Sequence, residues 1–170
     1  KLKIASIEDL ISYRLKNEKL IINIITKPIN IKRYGKFELK IFKSSLDDSE
    51  HYAIVKGKLK SNKSTRVRVI STNILNNIIN FQANSLNNSL KYLSKFNNFV
   101  LVIIKDQNIN FYKNINNLPK NNNILRYYGV GAQIIKDLKI KNMILVSRSK
   151  KRIIGLDGFD IKIKKQEIIK

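Results

Sequence analysis

The sequence of 170 residues contains no cysteine and a single histidine, His51. The lack of cysteine excludes disulfides, thiolate nucleophiles, iron-sulfur clusters and cysteine-bound zinc. One imidazole excludes the usual two-histidine metal sites and leaves one candidate for a general base near neutral pH. Because His51 opens a strand-like apolar run that continues to Val55, an ordinary strand position is favoured over catalysis.

Acidic residues are also few, with 12 Asp and Glu against 34 Lys and Arg, so the net charge is +22. A field of that sign attracts nucleic acids and anionic membranes. The lysines are scattered and form no basic block with interleaved aromatic residues, which makes nucleic-acid binding a minority hypothesis. No run of about 18 uncharged apolar residues occurs and the first residues lack a secretory signal, so we expect a cytoplasmic protein.

The hydrophobic pattern predicts a mixed α/β domain, in which a β-rich, antiparallel first half is followed by helix and strand layers. Pro28 is expected to stop the first apolar run, Leu20–Ile25. Predicted helices lie at about Ile7–Lys19, around Leu86–Leu93 and over Ile124–Leu138. Predicted strands lie around Phe37–Ile41, at His51–Lys56, at Thr65–Ile70, at Phe99–Ile104 with both faces buried, at Met143–Val146 and at about Asp160–Lys164. Asp106–Asn123 is expected to be a loop.

Several segments resemble the GTP cyclohydrolase II family in their order and spacing. The most specific is YGVGAQIIKDL at Tyr128–Leu138, followed by GLDGF at Gly155–Phe159. Upstream, the family's strands are matched by YGKF at Tyr34–Phe37, HYAIVKG at His51–Gly57 and VRVIS at Val67–Ser71. The resemblance covers roughly residue 25 to the end, and it implies a GTP cyclohydrolase II-like fold and a homodimer.

Residues 1–20 are instead similar to the closing helix of 3,4-dihydroxy-2-butanone 4-phosphate synthase, an enzyme often fused in front of GTP cyclohydrolase II in riboflavin biosynthesis. We therefore expect residues 1–24 to be the C-terminal helix and linker of a preceding synthase domain, and residues 25–170 to be the GTP cyclohydrolase II-like domain. Lys1 would then be a cut within a longer fusion protein.

The resemblance also indicates which reactive groups are missing. The family opens the imidazole ring of GTP with a zinc-bound water, and three cysteines hold the zinc. Their positions fall on Asn73, Asn84 and Leu86; an amide oxygen is a poor zinc ligand and leucine has no lone pair. The family's general-base aspartate falls on Ile124, which cannot accept a proton. The resemblance thus implies a degenerate domain without zinc or another cofactor.

Four polar residues remain where the family contacts nucleotide. Arg126 matches an arginine that is a proposed nucleophile at the α-phosphate of GTP, and Ser147 replaces a nucleotide-contacting threonine. Arg152, after Lys151, keeps positive charge where a lysine meets phosphate, and Arg68 is retained. These residues are the candidates for a residual nucleotide or anion site, although retained cations are expected by chance in so basic a chain.

The leading hypothesis is a catalytically inactive GTP cyclohydrolase II-like domain that acts as a structural, dimerising or regulatory partner of a synthase domain in the same chain. One alternative is a module that binds a purine nucleotide or a flavin. A domain that still acts on GTP by different chemistry, and an RNA-binding basic domain, also remain open.

Overall fold

The computed structural model describes residues 9, 13–14, 17–45, 48–72, 84–105, 124–150 and 159–169. Near the N-terminus, Asp9, Tyr13, Arg14 and Asn17 are helical, in agreement with the predicted first helix. The elements that follow are, in chain order, β1 (Ile21–Ile31), β2 (Gly35–Ser44), β3 (Glu50–Lys56), β4 (Thr65–Thr72), α1 (Asn84–Leu93), β5 (Phe99–Lys105), α2 (Ile124–Asp137), β6 (Asn142–Ser147) and β7 (Lys162–Ile168).

The seven strands of the described residues form one sheet in the order β1-β2-β3-β5-β4-β6-β7. The first three strands and β5 pair antiparallel, whereas β5, β4, β6 and β7 run parallel to one another. The expected mixed α/β class is therefore confirmed. The antiparallel first half is confirmed only as far as β3, because β4 pairs with β5 and β6 in parallel instead of joining β3.

The strand β1 continues through Pro28, which pairs in register with Glu38. The expected stop at this proline is wrong, because β1 lies at the edge of the sheet, where a residue without an N–H group is tolerated. The bounds of the last strand also differ from the prediction of about Asp160–Lys164, since β7 begins at Lys162 and extends to Ile168. Its polar residues alternate weakly, with mostly exposed or half-buried positions, so the hydrophobic pattern defines its bounds poorly.

The two helices cover opposite faces of the sheet. The crossover through α1 leads from β4 to its neighbour β5, and the crossover through α2 returns past β4 to β6. Because both crossovers are right-handed by rule but move in opposite directions, their helices lie on opposite faces. A Cβ atom added to Gly131 of α2 would lie 3.4 Å from Val69 Cγ1, so this glycine permits close packing on β4.

Each face has its own apolar core. Val67, Val102 and Met143 pack with α2 on one face. Ile70, Leu101 and Val146 pack with Leu90 and Leu93 of α1 on the other face. In β5, residues of both sets alternate, which confirms the prediction of a strand that is buried on both sides.

A polar cluster ties β7 to β4 and α1 across one side of the sheet. The Arg66 guanidinium donates to both carboxylate oxygens of Glu167, with Nε···Oε2 at 2.9 Å and Nη2···Oε1 at 3.1 Å. The Tyr92 hydroxyl donates to the same Oε2 atom. Arg66 Cζ also lies 3.6 Å from the centre of the Phe96 ring. The flat guanidinium fork thus anchors the edge strand by charge and by stacking.

Candidate functional site

The topology itself indicates where a ligand site belongs. After β4 the chain crosses to β5, which lies on the β3 side of β4. After β5 it crosses back past β4 to β6, so the direction of the crossovers reverses beside β4. In open α/β sheets, ligands bind outside the carboxyl ends of the strands at such a switch point. These ends are Thr72, Lys105 and Ser147, and we call the region that they border the carboxyl edge.

Arg68 lies in β4, four residues before this edge, and is buried with 4% of its surface exposed. Its Nε donates to Ser89 Oγ of α1 at 2.6 Å, and its Nη1 donates to the carbonyl oxygen of Val146 at 3.2 Å. The pKa of Arg68 is lowered, first by burial and then by the nearby charge of Arg148. Arg68 thus links β4, α1 and β6, and it forms no ion pair with a carboxylate of the described residues.

Ser147 ends β6 and is also buried, but it does not face Arg68. Alternation along β6 places Ser147 on the α2 side with Met143 and Leu145, whereas Val146 faces the α1 side, where Arg68 lies. The Ser147 hydroxyl donates to the carbonyl oxygen of Ser149 at 2.7 Å, so it stabilises the turn after β6. The structure brings these two candidates to neighbouring strands but on opposite faces.

The other candidate positions are described only in part. Leu86 lies in the first turn of α1 with 38% of its surface exposed. Asn84 begins α1, and Ile124 and Arg126 lie in the first turn of α2, but their side chains are outside the described part. Because α2 starts on the return from β5, the backbone of Arg126 is on the side of the carboxyl edge. Asn73 and Arg152 lie outside the described residues.

His51 reaches the same edge from the antiparallel half of the sheet, where it pairs with Ile104. Its Nδ1 accepts the backbone N–H of Lys105 at 3.3 Å, so the neutral ring carries its proton on Nε2, which lies 3.1 Å from Ser49 Oγ. Burial lowers its pKa to about 4, with a further contribution from the charge of Lys105. A ring with both nitrogens hydrogen-bonded and so low a pKa is a poor general base near neutral pH.

Sequence reasoning missed two residues that the fold makes important. Ser89 holds Arg68 in place from 21 residues away, and no short-range pattern connects them. Gln133 accepts from the backbone N–H of Leu20 and donates to the carbonyl oxygen of Glu18, both at 2.9 Å. Its side chain thereby fastens the segment before β1 to α2. A buried polar residue on the apolar side of α2 was the available signal.

The family assignment follows from the whole domain and not from one residue. A model of the GTP cyclohydrolase II family matches residues 23–168. The chain belongs to the GTP cyclohydrolase II family. This confirms the family resemblance. The matched region of this GTP cyclohydrolase II-like domain includes every strand of the described sheet, except the first two residues of β1.

Its relatives are riboflavin biosynthesis proteins of greater length. It is 28% identical over 183 residues to the riboflavin biosynthesis protein RibBA of Chlorobium phaeovibrioides, covering 95% of this chain and 44% of the relative. It is 29% identical to a 3,4-dihydroxy-2-butanone 4-phosphate synthase of Photobacterium phosphoreum, covering 95% of this chain and 47% of the relative. The chain thus spans somewhat less than half the length of these proteins.

A solved structure shares the fold over nearly the complete chain. This is RibBX, a two-domain 3,4-dihydroxy-2-butanone 4-phosphate synthase from A. baumannii, with a TM-score of 0.66 and 28% identity. The match covers 99% of this chain and 46% of RibBX. The domain division at residues 24 and 25 stays a prediction; in this chain β1 already begins at Ile21.

Two further features concern metals and membranes. In the described part of the chain, no three His, Asp or Glu side chains group closely enough to hold a metal ion. A helix of the length and hydropathy needed to cross a membrane is likewise not found among those residues.

Proposed function

We propose that this GTP cyclohydrolase II-like domain does not open GTP, and that it acts as a structural, dimerising or regulatory partner of a 3,4-dihydroxy-2-butanone 4-phosphate synthase domain. The observation that carries the proposal is the donor chemistry of these 170 residues, which include no cysteine for a reaction that the family performs with three. The synthase partner is supported by relatives and a solved structure that are about twice as long and include named synthases.

The residues at the family's zinc positions do not fit zinc. Leu86 offers a hydrocarbon side chain, and Asn73 and Asn84 offer only neutral amides. The one imidazole, His51, is buried in the sheet with both ring nitrogens hydrogen-bonded. A zinc ion at this edge would therefore lack the thiolate or imidazole ligands that hold it tightly, and we assign no step of any reaction to it.

The state of Arg68 supports a structural role. Nε and Nη1 donate to groups of α1 and β6, and the side chain is almost completely buried. In this arrangement Arg68 stabilises the packing of α1 on the sheet, and to contact a nucleotide it would have to exchange these bonds for new ones. A retained family residue can thus be explained by folding alone.

Residual nucleotide binding is the second candidate function, and one observation favours it. Arg68 is a buried cation without a carboxylate partner among the described residues, and Arg148 adds a second positive charge close by. Buried charges are costly unless paired, so a bound phosphate would stabilise this pair. The candidate differs from the leading proposal in requiring a measurable affinity for GTP.

A turnover assay and a metal analysis test the loss of catalysis. The purified chain should hold far less than one zinc ion per molecule and should consume no GTP, while a cysteine-containing GTP cyclohydrolase II, assayed in parallel, does both. One tightly bound zinc per chain together with GTP consumption would overturn the proposal.

The partner role is tested in the full-length parent protein. Synthase activity and oligomeric state are compared with and without residues 25–170, and we expect at least one of them to change. If both stay the same, the partner role is wrong.

Calorimetric titration with GTP distinguishes residual nucleotide binding from a purely structural role. If Arg68 and Arg148 bind nucleotide, Arg148→Gln should remove the GTP binding that this pair provides, about tenfold or more in affinity, while the distant control Lys91→Gln preserves it. Binding of RNA through charge alone would instead weaken steeply with salt in every variant.

A further inference from the structure

A cavity lies at the edge of the sheet opposite to the carboxyl edge, beside the amino ends of the parallel strands. It has a volume of about 710 Å³. Three chain segments form it: the residues before β4, the residues between α2 and β6, and the residues just before β7. Its lining includes Lys60, Lys136, Lys139, Lys141 and Asp160, with Leu59, Ile140 and Phe159 as apolar wall residues.

The four lysines of this cavity are unpaired within the described structure. All four are exposed, and none forms an ion pair with a described carboxylate. Among the described residues, Asp160 is the one carboxylate in the lining, so their charges sum to about +3. A neighbouring cavity of about 290 Å³ differs, because its lining holds Lys19 and Lys136 beside Glu18 and Asp137. The excess of positive charge is thus a property of the larger cavity.

Two backbone N–H groups of the lining are already hydrogen-bonded, so side chains supply the polar donors: the lysine ammonium groups, with Ser61 and Asn62 also in the lining. The N–H groups of Lys139 and Ile140 bond to the carbonyl oxygens of Lys136 and Ile135, which caps the C-terminus of α2. The attraction of a helix C-terminus for cations accounts for Lys136. It does not account for Lys60, which lies in the segment before β4, or for Lys141, which lies beyond the end of the helix and next to β6. Their aliphatic stems add to the apolar walls while their charged ends reach solvent.

The cavity is remote from the carboxyl edge. Its segments precede β4, β6 and β7, and in parallel strands the amino ends lie together at one edge while the carboxyl ends lie at the other. Since β4 has eight residues, the two edges are about 25 Å apart. A ligand in this cavity would therefore be remote from Leu86 and Ser147, which lie at the carboxyl edge.

We propose that this cavity binds a phosphorylated small molecule of mononucleotide size, with its phosphates on the lysine ammonium groups and a flat ring on the apolar wall. The volume lies within the range of small-molecule sites. Ammonium groups bind phosphates as point charges, and a net charge of about +3 in the described lining favours a diphosphate over a single carboxylate. The proposal does not depend on the loss of GTP turnover, so the two can fail separately.

Isothermal titration of the complete chain with ADP, adenosine and pyrophosphate tests this site. ADP is used because guanine nucleotides are the family's substrates at the other edge. We expect ADP to bind, adenosine to bind about tenfold more weakly or not at all, and pyrophosphate to compete with ADP. Equal affinity for ADP and adenosine would exclude phosphate recognition.

Variants locate the binding. Lys139→Asn with Lys141→Gln should weaken ADP binding about tenfold or more, since each lost charge-assisted bond is worth about a factor of ten. Asn suits position 139 because Lys139 has a φ of 58°. The charge-matched control, Lys36→Gln with Lys91→Gln, removes two exposed lysines elsewhere and should change the affinity by less than about twofold. Equal losses in both variants would mean general charge attraction and would overturn the proposal.

A gain of affinity provides a test that is independent of damage to the fold. Asp160→Asn removes the carboxylate found in the described lining, and Asn tolerates the φ of 58° found there. We expect ADP to bind about twofold more tightly or better, because a like charge near the phosphates is removed. Unchanged affinity in this variant and in the double lysine variant would place ADP elsewhere and refute the site.

Discussion

Protonation of His51 should destabilise the fold at mildly acidic pH. Burial and the charge of Lys105 hold the pKa of His51 at about 4, against 6.5 for an exposed histidine. Between these values the unfolded chain binds the proton more tightly than the folded chain, so the free energy of unfolding falls as the pH falls. The complete loss is about 3 kcal/mol, of which about 2 kcal/mol occurs between pH 7 and pH 4.5.

The loss is measured by urea denaturation at several pH values between 7 and 4.5, with His51→Gln as the matched variant. Glutamine offers an acceptor for the Lys105 N–H and a donor for the Ser49 hydroxyl, but it does not titrate. Carboxylates that also lose stability in acid act equally on both proteins, so the wild-type chain should lose about 2 kcal/mol more than the variant.

Parallel pH dependence of the two proteins would refute the reasoning. It would mean that the His51 imidazole titrates near its ordinary pKa and is not held neutral by burial. In that case His51 would again be a candidate for a general base at the carboxyl edge, where its neighbour Lys105 ends β5.

Three further substitutions test the packing that positions the two edges. Glu167→Gln leaves Arg66 without its carboxylate and should lower the free energy of unfolding by about 2 kcal/mol in urea; an unchanged value would mean that the ion pair does not stabilise the fold. Gln133→Leu removes two hydrogen bonds to the segment 17–20 and should speed proteolysis there at unchanged secondary structure by circular dichroism. Gly57→Ala should lower the thermal midpoint and destabilise the fold by about 2 kcal/mol or more. Gly57 has a φ of 74°, and the new Cβ would clash with the backbone carbonyl oxygen of Asn97. A midpoint equal to that of the wild type would contradict this.

Much of the fold could be predicted from local pattern. The period of Leu90 and Leu93 defined α1, and the continuous apolar run of β5 predicted a central strand. The pairing of the strands could not be predicted, because hydrophobic alternation indicates which residues face a core but not which strands are neighbours in the sheet. The passage of β1 through Pro28 depends on its place at the edge of the sheet, which the local sequence does not contain.

The candidate site was predictable in chemistry but not in geometry. Arg68 and Ser147 are separated by 79 positions in numbering, and only the parallel pairing of β4 with β6 brings them to adjacent strands. Strand alternation then directs them to opposite faces. The bond from Arg68 to Ser89 depends on the docking of α1, which no spacing in the sequence specifies.

By itself, the sequence determined which atoms are present: no thiolate, one imidazole, an excess of lysine, and the family's frame. Those facts alone limit the chemistry, because ligands and bases that are absent cannot be supplied by folding. Only the tertiary structure decided which charges meet. It buried Arg68 among hydrogen-bond partners and brought four lysines from two distant stretches of chain around one cavity, since contacts between distant segments arise from the packing of the sheet and its helices.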